Sequence, residues 1–506
     1  MAPSRSKNSI LNAISAMALT LVNGLLGVVV TKMVISHYGS DFNGLNSTAN
    51  QIVNMLLILE GGFTVASNVS LFAPLTNGDI NTVNGILSAT LKKFRKIALL
   101  FLGIGAAVAV GYGFMVKSQL PTEFVITVVL MTIVPAAFNL FYATTYRVLL
   151  QTQQKEYIIS FITMLTIGSG HIANMVMMSF GGPMWAVRFI TMCFAFLNSF
   201  LIAGYVRRKN KFIDFKAAPK GDMIKGTKDV MVQKITGVIY NSFPIIFLSV
   251  SPTGSTVLAS VYAVYNQVFV MIKSLLHAAI DAPRLSFGQL LTEKKKEEVW
   301  PTFKQYEFIA FFAVFALLTT AFALILPFIE IYTSGVTDAN YYDPVIALLM
   351  VLIAVTEMIH IPSGHLLNMA GKFKISKNFQ LIACITLVVT MLVGGAFLGV
   401  YGMLGALLLC AVLLAVLEMG YVHLFFFENK LWELIKLMLP FVVTGVALCF
   451  LESLIPIKLN GYIQFGIYGV IFFGVNTLVA SLVGLVFNKN IMLSLIRRVK
   501  GMLIRK

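Results

Sequence analysis

Fourteen apolar stretches follow one another along the chain, separated by short polar segments. A helix needs about 20 apolar residues to cross the hydrocarbon core of a bilayer. We place these spans at residues 10–36, 43–72, 95–116, 122–146, 157–178, 184–206, 230–250, 256–282, 305–329, 344–369, 379–397, 402–424, 434–453 and 461–487. The runs are continuous rather than alternating, which indicates helices and not a β-barrel. Only 12% of the residues are charged, against about 25% in soluble domains, so we expect an all-α polytopic membrane protein with about 14 transmembrane helices.

Basic residues are concentrated on one side of the predicted membrane. If the N-terminus is cytoplasmic and the spans alternate, cytoplasmic segments and span edges hold all but five of the 38 Lys and Arg. External loops contain two of the five and spans contain three: Lys117 and Lys458, then Lys32, Arg188 and Lys273. The positive-inside rule therefore predicts cytoplasmic N- and C-termini. The net charge of +17 then reflects topology and attraction to anionic lipid, and we expect no nucleic-acid partner.

The sequence also contains an internal repeat. Residues 50–56 resemble residues 266–272 at an offset of 216, and residues 149–155 resemble residues 366–372 at an offset of 217. A unit of six spans enters the membrane with the same orientation in both copies, so a pseudo-twofold axis along the membrane normal is expected. The predicted divisions are an N-lobe (1–206), a basic cytoplasmic linker (207–229), a C-lobe (230–430), two extra spans (431–487) and a basic amphipathic tail (488–506).

A polar stripe is predicted along the span at residues 256–282. Its five members are spaced by seven, four, four and three residues, which places them on one helical face: Asn266, Lys273, His277, Asp281 and Arg284. A polar stripe is costly in lipid unless it lines a cavity, so we predict a cavity here. Asp281 and Arg284 lie at the cytoplasmic end and are candidates for a gate. The alternatives are a structural ion pair between these two residues and an interior histidine at His277 with no contact to substrate.

Several motifs resemble those of one transporter family. They are Tyr38-Gly39, Leu59-Glu60-Gly61-Gly62, Pro283-Arg284-Leu285-Ser286 and the segment Gly399–Ala406. With the repeat of six spans, the sequence resembles the Wzx-type oligosaccharide-lipid flippases of the multidrug/oligosaccharidyl-lipid/polysaccharide (MOP) superfamily, which are related to the MurJ lipid II flippases. The MurJ family has an arginine-rich first helix, whereas the first span here has only Lys32.

The resemblance implies a function. Such proteins move undecaprenyl-pyrophosphate-linked oligosaccharide units across the bacterial cytoplasmic membrane by alternating access, for the synthesis of capsule, O-antigen or exopolysaccharide. The expected partners are the lipid-linked glycan, the bilayer, a polysaccharide polymerase and glycosyltransferases, and the protein itself is expected to be a monomer. In MurJ proteins, the two helices beyond the repeat are associated with the lipid tail.

Charged residues inside the spans are the candidates for binding and coupling. Lys32, Arg188 and Lys273 are predicted to bind the anionic junction of the substrate, together with His277 and Asn266. Lys32 and Arg188 lie near the outer ends of their spans, so the alternative is that they extend to the interface. The intramembrane acids Glu60 and Glu357 are candidates for coupling to a proton or sodium gradient or to the membrane potential; the alternative is hydrogen bonding between helices.

Two other functional classes are less consistent with the sequence. A multidrug or cation antiporter is expected to have an acidic cavity, whereas three cations lie in these spans. A membrane-embedded glycan polymerase or acyltransferase usually needs a large external loop, whereas the longest one here covers residues 332–343. The sequence contains no Walker motif, no His-Glu-x-x-His and no Cys-x-x-Cys. We therefore expect no enzyme activity, no bound metal and no cofactor.

Overall fold

The computed structural model describes residues 5–224, 228–281 and 284–504, and these residues are almost entirely helical. The first nine helices are α1 (Arg5–Leu56), α2 (Phe63–Thr76), α3 (Ile80–Met115), α4 (Thr122–Phe138), α5 (Thr144–Thr152), α6 (Glu156–Ser179), α7 (Met184–Lys209), α8 (Lys228–Val250) and α9 (Thr256–Ile280). The next nine are α10 (Arg284–Glu293), α11 (Lys296–Tyr332), α12 (Pro344–Ile359), α13 (Ile361–Met369), α14 (Phe373–Thr390), α15 (Ala396–Tyr421), α16 (Leu431–Ser453), α17 (Tyr462–Phe487) and α18 (Lys489–Ile504).

The predicted number of membrane spans agrees with this architecture. Twelve helical segments in the described part of the chain are long and apolar enough to cross a membrane. Two of them, Ile10–Glu60 and Phe373–Phe426, have 51 and 54 residues. The second contains two predicted spans, and the first contains one predicted span and more than half of the next, 43–72. Counting those two segments twice gives the fourteen expected spans. Inside them the chain turns at Gly39 (φ 85°) and Gly399 (φ 58°), a left-handed conformation that glycine adopts without steric cost.

Two spans are interrupted at charged or titratable residues. A 3₁₀ turn, Leu57–Glu60, separates α1 from α2 and is followed by Gly61 and Gly62, both at positive φ. The other interruption lies at His360, between α12 and α13. A broken helix exposes backbone groups that lipid cannot hydrogen-bond. At the first break the Glu60 carboxylate accepts a hydrogen bond from the backbone N–H of Thr64 at 3.1 Å.

The predicted polar stripe differs from the structure at its inner end. α9 ends at Ile280, Asp281 lies in a bend, and α10 begins at Arg284. Asp281 nevertheless stays on the face of His277, since its backbone N–H donates to the His277 carbonyl at 2.8 Å and its carboxylate lies 3.5 Å from His277 Nδ1. Arg284 belongs to the next helix and does not continue that face. Pro283, part of the motif noted in the sequence, lies outside the described residues.

The chain packs as two compact units, Met1–Ala263 and Val264–Lys506. In the first unit, α1 packs against α4, α6 and α8, and Phe42, Phe94 and Phe101 are fully buried in its core. In the second unit, α11 is central and packs against α12, α16 and α17. The predicted lobe boundaries at residues 206 and 230 stay predictions.

Segments outside the spans pack on the units as well. Between α7 and α8, the chain follows the beginning of α3, where Asn84 donates to the Phe212 carbonyl at 2.8 Å and Ser88 donates to the Phe215 carbonyl at 3.1 Å. The predicted amphipathic tail forms α18, and its apolar residues Ile491, Met492 and Leu495 pack against the core of the second unit.

One close contact within the first unit joins α1 to the beginning of α9. Gly44 lies against Thr256 and Ser260, so closely that a Cβ atom at position 44 would overlap the Thr256 carbonyl. The neighbouring Asn43 donates to the Ser260 hydroxyl at 2.7 Å. The internal repeat and its twofold axis stay predictions.

Candidate functional site

The second unit pairs two residues that the sequence marks out separately. Lys273 Nζ on α9 lies 2.8 Å from Glu357 Oε2 on α12. Both side chains are mostly buried, with 19% and 13% of their surface exposed. A buried charge is stable when it is paired and hydrogen-bonded. The predicted binding residue and the predicted coupling residue therefore form one ion pair.

A second pair lies next to the first along the interrupted span. His360 Nδ1, at the break between α12 and α13, is 2.8 Å from Glu418 Oε2 on α15. Glu418 is 2% exposed, and its carboxylate lies so close to Gly364 that a Cβ there would approach Oε2 to 2.7 Å. Glu418 of α15 is thus held by the interrupted span through His360.

The predicted gate residue Asp281 lies beside two histidines. Its Oδ1 is 3.5 Å from His277 Nδ1 and 3.5 Å from His365 Nε2. The Tyr306 hydroxyl joins this group through His365 Nδ1 at 2.8 Å. Arg284, the other predicted gate residue, is exposed and donates its backbone N–H to the Asp281 carbonyl at 3.1 Å. The gate role of Asp281 and Arg284 stays a prediction.

A fourth acid–base pair in the second unit was not predicted from the sequence. Glu307 on α11 lies 2.9 Å from His423 Nε2, and both side chains are 1% exposed. His423 belongs to a π-helical turn, Val422–Phe426, that widens the helix by one residue. Four of the six histidines of the sequence thus lie within 3.5 Å of a carboxylate in this unit.

An apolar groove lies in the same unit. Its volume is about 430 Å³, and α11, α12 and α16 line it, almost entirely with aliphatic and aromatic side chains. α16 is one of the two spans outside the predicted repeat. Val351, Val355 and Ile359 of α12 line the groove, whereas Glu357 is two residues away from both Val355 and Ile359 and so lies on another face of the same helix.

The first unit contains Glu60, the other acid predicted to couple transport to an ion gradient. Its Oε2 lies 3.2 Å from Lys234 Nζ on α8, with 11% of the Glu60 side chain and 40% of the Lys234 side chain exposed. Its other oxygen caps α2 through the Thr64 N–H. Both candidate coupling acids are therefore held by a lysine.

Arg188 has a different environment. It is 6% exposed, and its guanidinium donates to the side chain and carbonyl of Asn46 and, at 3.0 Å, to Asn50 Oδ1. The Arg188 side chain is therefore buried within the unit and does not extend to the membrane interface, as the alternative interpretation required. Lys32 in α1 and Asn266 in α9 are half-buried, and their predicted binding roles stay predictions.

Sequence reasoning missed Arg147. The fourth span was predicted to end at residue 146, whereas the apolar helical segment continues through Thr152. Arg147 Nη2 donates to Asn198 Oδ1 on α7. Together with Arg188 it lines a polar cavity of about 430 Å³ inside the first unit.

Solved structures share this fold. The lipid II flippase MurJ in an inward closed conformation superposes with a TM-score of 0.67 and 12% identity, covering 94% of this chain and 99% of that chain. An inward-facing multidrug resistance MATE transporter of the MOP superfamily has a TM-score of 0.60 and 13% identity, covering 87% and 98%. A MOP superfamily transporter from Pyrococcus furiosus, described as having a binding pocket of reverse polarity, has a TM-score of 0.60 and 14% identity, covering 88% and 97%.

No family model and no curated protein matches the sequence. The similar structures are transporters and flippases rather than enzymes. Identities of 12–14% establish the architecture and leave the cargo open. The chain is a multi-pass membrane protein with the fold of the MOP superfamily transporters.

Proposed function

We propose that the protein is a flippase for polyprenyl-pyrophosphate-linked oligosaccharides in the bacterial cytoplasmic membrane. It would supply repeat units to a polysaccharide polymerase after glycosyltransferases have built them on the cytoplasmic side. The superposition with MurJ, which covers 94% of the chain, supports a lipid-linked cargo. The fold is shared with MATE transporters, so a feature specific to a lipid cargo must carry the choice.

That feature is the apolar groove between α11, α12 and α16. A polyprenyl chain is a long hydrocarbon, and burying it is favourable by about 25 cal/mol per Å² of apolar surface. The groove offers such a surface, and one wall comes from a helix outside the six-span repeat. A transporter of soluble drugs has no need for a lipid-tail groove on an added helix.

The polar pairs of the same unit are suited to the other end of the cargo. Without substrate, Glu357 neutralises Lys273 at 2.8 Å. A pyrophosphate that enters the site competes for Lys273, since phosphate oxygens are strong acceptors for a lysine ammonium. Glu357 is then separated from Lys273, and its carboxylate is our candidate for coupling cargo binding to an ion gradient.

Filling the groove tests the proposal. Val446 on α16 lines the groove and is 67% exposed, so Val446→Trp should block the lipid chain. The purified protein is reconstituted into liposomes with a fluorescent polyprenyl-pyrophosphate saccharide, and the rate of its appearance in the other leaflet is measured. We expect a decrease of at least about tenfold, which corresponds to about 1.4 kcal/mol of lost tail binding.

Val470→Trp is the matched control. Val470 lies on α17, is 75% exposed and is not part of the groove lining, so the rate should stay at the wild-type value. Equal rates for Val446→Trp and wild type, or no protein-dependent flipping at all, would overturn the assignment. Drug accumulation in cells with and without the protein tests the alternative of a multidrug antiporter.

A further inference from the structure

Two arginines, Arg147 and Arg188, line the polar cavity of the first unit. The walls come from α1, α4, α5, α6, α7 and the turn between α4 and α5. Asn198, which accepts from Arg147, and Arg188 both lie on α7. Ten residues separate them, which corresponds to about 15 Å along a helix. The volume of about 430 Å³ lies within the usual range for small-molecule sites, about 300–1,000 Å³.

The cavity carries positive charge that the protein does not neutralise. Among the described residues, no aspartate or glutamate lines it. The side-chain partners of Arg147 and Arg188 are asparagines, Asn198 for the first and Asn46 and Asn50 for the second. A guanidinium does not lose its proton in a protein, and a buried charge without a counter-charge is costly. An anion inside the cavity removes that cost.

Polar atoms of the lining residues that make no hydrogen bond indicate which groups this anion carries. Arg147 Nε is buried and makes no hydrogen bond, so a donor is available. Asn139 Oδ1 and Asn174 Oδ1 are also buried and unpaired, and both residues line the cavity. Exchanging the amide atoms by rotation would leave an unpaired donor instead. Asn174 Nδ2, however, already donates to the Thr191 hydroxyl at 3.1 Å, which fixes Oδ1 as the free acceptor there.

We propose that this cavity binds a small hydroxylated oxyanion, that is, a carboxylate or phosphate group attached to a carbon skeleton with hydroxyl groups. The oxyanion accepts from the arginines, and the hydroxyl groups donate to the free asparagine oxygens. A chloride ion neutralises the arginines but offers no donor to Asn139 or Asn174. The site lies within the first unit and does not depend on the proposed flippase function.

Calorimetric titration of the purified protein tests the proposal, with glucuronate as the probe and glucose, inorganic phosphate and chloride for comparison. We expect saturable binding of glucuronate, weaker binding of phosphate and chloride, and none of glucose. Arg147→Gln and Arg188→Gln should each weaken glucuronate binding at least about tenfold, the effect of losing one charge-assisted hydrogen bond.

Arg95→Gln is the matched control, because Arg95 is exposed over the ring of Phe141, 5.0 Å from its centroid, and does not line the cavity. Its affinity should equal that of wild type. A thermal shift of the unmodified protein, produced by glucuronate and not by glucose, supports the site without any variant. Absence of glucuronate binding, chloride binding as tight as glucuronate binding, or equal affinity in all variants would overturn the proposal.

A hydroxylated oxyanion of this kind has two sources: a free sugar acid, or the head group of the lipid phosphatidylglycerol. Glucuronate titration in nanodiscs of phosphatidylglycerol and of phosphatidylcholine separates them. Competition in phosphatidylglycerol alone assigns the site to the lipid head group, and equal affinity in both assigns it to the free anion. If the protein flips the lipid-linked saccharide but does not bind glucuronate, only the anion site is refuted. If it binds glucuronate but does not flip the saccharide, only the proposed function is refuted.

Discussion

The two units handle buried charge in opposite ways. In the second unit, Lys273, His360 and His423 each meet a carboxylate within 2.9 Å. In the first unit, the buried arginines Arg147 and Arg188 have only amide and carbonyl partners. The most deeply buried charges thus form neutralised pairs in the second unit, whereas in the first unit two buried arginines lack a carboxylate partner and the acid–base pair Glu60–Lys234 has a lysine that is 40% exposed.

This difference separates two kinds of chemistry. A carboxylate paired with histidine or lysine changes its state when a proton, a cation or a competing anion arrives, so the pairs of the second unit are suited to coupling. An arginine keeps its charge at every physiological pH, so the first unit provides a fixed attraction for anions. Three perturbations test this contrast, beginning with the one of largest effect.

Removing one member of a buried pair should destabilise the second unit. His423→Phe leaves the Glu307 carboxylate, 1% exposed, without its partner, and breaking such a pair costs about 3 kcal/mol or more. The free energy of unfolding is measured in detergent with increasing denaturant. The double variant Glu307→Leu/His423→Phe should recover most of the loss, because it removes both polar groups.

Arg147→Met is the corresponding change in the first unit. It removes a cation that has no carboxylate partner, so stability in the absence of added anions should stay the same or increase. A loss as large as that of His423→Phe would show that the two units do not differ in the way described.

Exchanging the charges of the central pair should preserve folding and impair transport. Lys273→Glu/Glu357→Lys keeps an ion pair but moves the cation from α9 to α12, away from the predicted path of the pyrophosphate. We expect the flipping rate to fall at least about tenfold, equivalent to about 1.4 kcal/mol of lost substrate interaction. Lys304→Glu/Glu433→Lys exchanges another 2.8 Å pair of the same unit and should transport normally. Full activity of the first exchange would make Lys273–Glu357 a structural pair only.

The smallest effect concerns pH. The arginines of the first unit keep their charge between about pH 5.5 and about pH 8, so the affinity for glucuronate should not change over that range.

Calorimetric titration at the two ends of this range is the measurement. A glucuronate affinity that changes severalfold between the two pH values would contradict a site whose charge comes from arginine.

The sequence predicts the architecture well because span length and loop charge are local properties. Glycine at positions 39 and 399 marks two of the tight turns for the same reason. The pairing of Lys273 with Glu357 cannot be predicted from the sequence, since 84 residues separate them and each charge alone fits several roles. Lys234, the partner of Glu60, was counted as part of the cytoplasmic excess.

Arg147 was missed by one residue, because the predicted span stopped at residue 146. The apolar residues 148–150 that follow it were the signal for a longer helix. Glu307 and His423 were missed because Glu307 follows the basic segment at the beginning of α11 and His423 ends the twelfth span. Only the packing of distant helices brings them together.

The missing side chain at Gly44 determines how closely α1 and the beginning of α9 approach each other. A Cβ atom at this position would overlap the Thr256 carbonyl, so any other residue would force the two helices apart. The hydrogen bond from Asn43 to the Ser260 hydroxyl, 2.7 Å long, depends on the same approach. A single hydrogen atom in place of a side chain thus determines both the spacing and the polar contact of this crossing.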